Sequence, residues 1–196
     1  MIEDLEGLNR RFLHLAKAGL PGLEEAGSRA LHGLDRAGLR RLAAVPFALF
    51  SFGFGVDPRW DGLRENGVRD MDPPPATGAC RERFALLALA FMRHMASQDP
   101  RRAMTVAGIP ESAGRWLVAL DPGLVAAVAP GAASALRWRA ATRKGLWPAL
   151  IGACANGDEA LLAVLRPAGV QWTIRRALDL PPDHCVGRQG FRAGGR

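Results

Sequence analysis

The side chains able to do chemistry are spread through this sequence without the spacings that chemistry needs. His14, His32, His94 and His184 form no H-x-x-x-H or H-E-x-x-H pair, so paired ligands for a hydrolytic metal are missing. Cys80, Cys154 and Cys185 are odd in number, far apart and without C-x-x-C spacing, which predicts reduced thiols rather than a disulfide framework or a zinc site. Cys154 lies in an apolar stretch and reads as a small buried residue. Ser51, Ser97, Ser112 and Ser134 lack the context of a nucleophile elbow. The glycine-rich pieces FGFG and GAASAL match neither a phosphate loop nor a dinucleotide fingerprint. The acid pairs Glu24-Glu25 and Asp158-Glu159 suit helix N-termini, where negative charge meets the positive end of the dipole. No enzyme activity, metal or cofactor is expected.

The cations are better organised. Arg101, Arg102 and Arg115 flank the stretch QDPRRAMTVAGIPESAGRWL, Arg137 and Arg139 alternate in ALRWR, and Arg143 and Lys144 follow directly. Alternation predicts Arg137 and Arg139 on one strand face, with Trp138 opposite and buried. Such a set could neutralise DNA phosphates, each contact adding affinity and salt dependence. It could equally be the solvated face of an arginine-rich chain. The net charge of +7 fits a polyanionic partner. The abundance of Ala, Leu, Gly, Pro and Arg is also what a GC-rich genome produces. Trp116, Trp147 and Trp172 sit on apolar helical faces and read as core.

At 196 residues, 48% of them hydrophobic, the chain can bury a sizeable core. Leu5, Leu8, Phe12, Leu15 and Ala16 recur at helical spacing and predict a helix over 3–18. One or two short helices follow around Leu31–Leu42, with Asp35 as an N-cap. VPFALFSFGF (45–54) reads as a short strand, and the Pro/Gly-rich 56–81 as a linker. Helical spacing resumes at Arg81 and stops at Asp99-Pro100. Short helices are expected at 100–107 and 110–120, and another begins at Asp121-Pro122. ASALRWR (133–139) reads as a second strand, 141–180 as a helical extension, and 181–196 as a disordered tail. A DNA-reading helix-turn-helix at 98–117 is only half present, because Gly114 stands where an aliphatic side chain normally packs between the helices. The N-terminus lacks the form of a signal peptide, and no apolar run approaches the roughly 20 residues that span a bilayer. A cytoplasmic protein without membrane contact is expected.

The halves 1–55 and 82–140 share an order of elements: long helix, short helices, a Leu-Asp step, another helix, then an aromatic strand. LDRAGLRRLAAVPFALFSFGF aligns with LDPGLVAAVAPGAASALRWR with one residue of slippage, setting Leu42-Ala43 against Val128-Ala129 and Phe52 against Trp138, as a tandem duplication or as convergence of Ala/Leu-rich helices would. Two short strands with unpaired edges are expected to pair with each other or with another subunit.

LLALAFMRHMASQDPRRAMTVAGI, a helix ending VAL, then LVAAVA and ALRWR together resemble the FlhD family, a subunit of the bacterial flagellar master regulator. The likeness runs over 84–139 and is fainter over 5–54. It implies a mainly α fold with two short β-strands, here as two FlhD-like repeats packed together plus a C-terminal helical extension. It further implies transcriptional control of flagellar or related genes, as a homo- or hetero-oligomer with another regulatory subunit that contacts DNA. The family's cysteine before the strand end falls at Leu136, so no intersubunit disulfide is implied there. The zinc-binding partner subunit of that family cannot be contained in this chain, whose cysteines are too few. The alternative is a helical adaptor or scaffold with no nucleic-acid contact.

Overall fold

A computed structural model describes residues 2–20, 25–54, 57, 60, 78–139 and 145–178. Among them the chain is mainly helical, with two very short strands: α1 (Ile2–Lys17), α2 (Glu25–His32), α3 (Arg36–Ala43), β1 (Phe50–Ser51), α4 (Ala79–Gln98), α5 (Pro100–Ala107), α6 (Glu111–Ala119), α7 (Pro122–Ala135), β2 (Arg137–Trp138), α8 (Leu146–Asn156) and α9 (Glu159–Ala177). None of these helices is long and apolar enough to cross a membrane. Most of the linker and the whole of the expected tail, 181–196, lie outside the described residues.

Local chemistry sets the helix ends. Asp35 accepts from the Gly38 amide at 2.6 Å, Asp99 from the Arg101 and Arg102 amides at 2.9 and 3.1 Å, and Asp121 from the Gly123 amide at 2.7 Å. Each carboxylate thus satisfies amides that the first turn leaves free. Proline follows the cap in α5 and α7, where its missing N–H costs nothing. Gly108 and Gly157 close α5 and α8 in the left-handed conformation.

Helix α4 forms the axis of the molecule. The helices α1, α5, α6 and α7 all lie against it, with α7 the most extensive neighbour. Helix α6 packs closely on α4, and a Cβ at the buried Gly114 would stand 3.6 Å from Ala96 Cβ and 3.8 Å from Ile109 Cδ1, ordinary packing distances. The QDPRRAMTVAGIPESAGRWL stretch is therefore a helical hairpin docked on α4. Helix α8 packs on α2 and α3, and α9 on α5 and α8. Segments 1–55, 82–140 and 141–180 accordingly contribute to one continuous core, from Leu5 to Leu162.

The strands are shorter than the sequence predicts. Of 45–54 only Phe50–Ser51 is strand, and of 133–139 only Arg137–Trp138, since α7 continues to Ala135. Around 43–49 the backbone groups that a ladder would use are taken elsewhere. The buried Asn9 amide donates to Ala43 O at 3.1 Å and Phe47 O at 3.0 Å, and accepts from the Leu49 amide at 3.0 Å. The Ala48 amide donates to Val106 O at 2.8 Å. The two strands pair with each other, antiparallel, with Phe50 opposite Trp138 and Ser51 opposite Arg137.

Candidate nucleic-acid interface

The four exposed arginines of the expected set differ in what surrounds them. Arg101 and Arg102 open α5 with exposed side chains and no ion pair among the described residues. The amides of that helix end are already occupied by Asp99, so only the two guanidinium groups remain to meet an anion. Arg115 pairs with Glu111 one turn earlier at 2.8 Å, both highly exposed. Arg137 reaches Asp57 at 3.8 Å. The exposed Arg115–Glu111 pair contributes between nothing and about 1 kcal/mol and is screened by salt, so Arg115 remains able to exchange its partner for a phosphate. The Asp57 carboxylate beside Arg137, by contrast, is largely buried. Arg143 and Lys144 lie outside the described residues.

Arg139 is not part of this surface. The strand ends at Trp138, so the alternation that predicts Arg139 beside Arg137 does not continue. Trp138 is buried and Arg137 exposed as expected, but Arg139 turns inward and is 7% exposed. Its Nε and Nη2 donate to Phe50 O at 2.9 and 2.7 Å, and Nη2 also donates to Ala107 O. Its amide donates to Leu49 O at 3.0 Å. A single guanidinium thus ties the end of β2 to β1 and to the last turn of α5. This is a use of the rigid five-donor fork that a lysine could not reproduce.

Gly108 makes room for that side chain. It has φ +57, and a Cβ there would collide with the Arg139 guanidinium and stand 2.8 Å from Thr173 Cγ2. Gly108→Ala is expected to cost about 2 kcal/mol in a denaturant titration, from the left-handed backbone and the displaced arginine together. In an Arg139→Ala background the same change should cost less, because the clash with the guanidinium is gone and only that with Thr173 Cγ2 remains.

Other polar groups that organise the molecule were not singled out by sequence reasoning. Arg41 donates to Cys154 O at 2.8 Å and so neutralises the C-terminal end of α8. Arg93 donates to Leu120 O and Val118 O at 3.3 and 3.4 Å, serving α6 in the same way. Asn9 is the one polar residue on the buried stripe of α1 formed by Leu5, Leu8, Phe12 and Leu13, and that misfit was the available signal. Burial pushes the Cys154 thiol up to about 11, so it is protonated and unreactive at neutral pH. His14 and His94 are both exposed. No group of His, Cys, Asp and Glu able to hold a metal ion occurs among the described residues. Compared with known protein families, characterised proteins and solved structures, the chain matches none of them.

Proposed function

We propose that this chain is an FlhD-like regulatory protein built as an internal pseudo-dimer, acting in transcriptional control of flagellar or related bacterial genes through protein–protein assembly. In this reading Arg101, Arg102 and Arg115 supply accessory contacts to DNA phosphates.

The observation that carries the reading is the register of the two strands. The alignment that sets Phe52 against Trp138 also sets Ser51 against Arg137, and these two residues face each other in the antiparallel pair. A local two-fold axis passing between equivalent residues requires that pairing. The same alignment matches Asp35 with Asp121, and both cap a helix. It also matches α3 with α7, each lying against the long helix of its own half, while α1 and α4 meet across the proposed axis. A dimer-forming strand fused into one chain would satisfy its partner edge internally in this manner. The role in transcription comes with the family resemblance, since a fold alone does not carry a function.

The adaptor reading is favoured by one specific observation. Arg139 is spent on the fold, and Arg115 and Arg137 already have carboxylates beside them, which leaves a small basic surface. Fluorescence anisotropy with a labelled duplex separates the two. With three phosphate contacts, affinity should fall roughly 40-fold between about 50 and 200 mM salt. Arg101→Ala/Arg102→Ala/Arg115→Ala should abolish that dependence while leaving the fold intact, because all three side chains are exposed. A wild-type chain that ignores DNA at low salt removes the DNA-contacting form and leaves the adaptor.

A further inference from the structure

We draw no further inference here: the strongest candidate, the apolar face of α4 that exposes Leu86 and Leu87 beside Val118 and Leu124 at the α6–α7 junction, carries nothing, because Glu82, Glu111 and Asp121 share its rim with Arg83 and Arg115 and nothing in the structure shows what covers it.

Discussion

Arg139→Ala is expected to lower the unfolding free energy by about 4 kcal/mol and the thermal midpoint by roughly 10 °C. The substitution removes the donors that reach Phe50 O and Ala107 O, in a place where the arginine itself is 7% exposed. Buried carbonyls left without partners each cost about 1–3 kcal/mol, and the vacated space adds to that. Arg139→Lys should recover only part of the loss, because one ammonium cannot reproduce the fork that bonds Phe50 O twice and reaches Ala107 as well. Urea unfolding followed by circular dichroism reads both variants. A phosphate-contacting Arg139 would behave oppositely, lowering DNA retention while leaving the urea midpoint where it was.

Phe12→Ala is the second large effect, again about 4 kcal/mol. Phe12 is fully buried, and its ring meets Phe50 at 5.7 Å, Phe84 at 6.0 Å and Trp138 edge-on at 4.8 Å. It therefore touches β1, α4 and β2 at once. Truncation leaves a cavity between elements drawn from both halves of the chain, and the rigid rings around it cannot easily collapse inward. Phe12→Leu should cost about half as much. The near-ultraviolet circular dichroism of Trp138 offers a second readout, since loss of the edge-on ring changes its surroundings even where the chain remains folded. Unfolding midpoints of Phe12→Ala and wild type that coincide would show that the two halves do not rely on this contact.

The helices were legible because their causes are local. The stripe Leu5, Leu8, Phe12 places α1 within one residue of where it forms, and Asp99-Pro100 and Asp121-Pro122 mark the starts of α5 and α7. A cap needs only a carboxylate and an amide two or three residues away, so its signal survives in a bare sequence. The strands were less legible. Alternation in 45–54 is real, but Asn9 takes the backbone groups of Ala43, Phe47 and Leu49, and that competition comes from a helix more than thirty residues upstream. The candidate basic surface was legible in part. Arg101, Arg102, Arg115 and Arg137 are exposed as their positions suggest, whereas Arg139 is not.

By itself, then, the sequence determined a mainly helical chain, the places where its helices begin, and the burial of Trp138 and Cys154. Spacings of three or four residues and short capping contacts are sufficient for those. Only the tertiary structure decided that β1 and β2 close on each other within one chain, that Arg139 faces inward, and that α4 keeps an apolar face in solvent. Each of these depends on a partner distant in sequence. The carbonyls that draw Arg139 inward belong to Phe50 and Ala107, and no periodicity around residue 139 could have announced them.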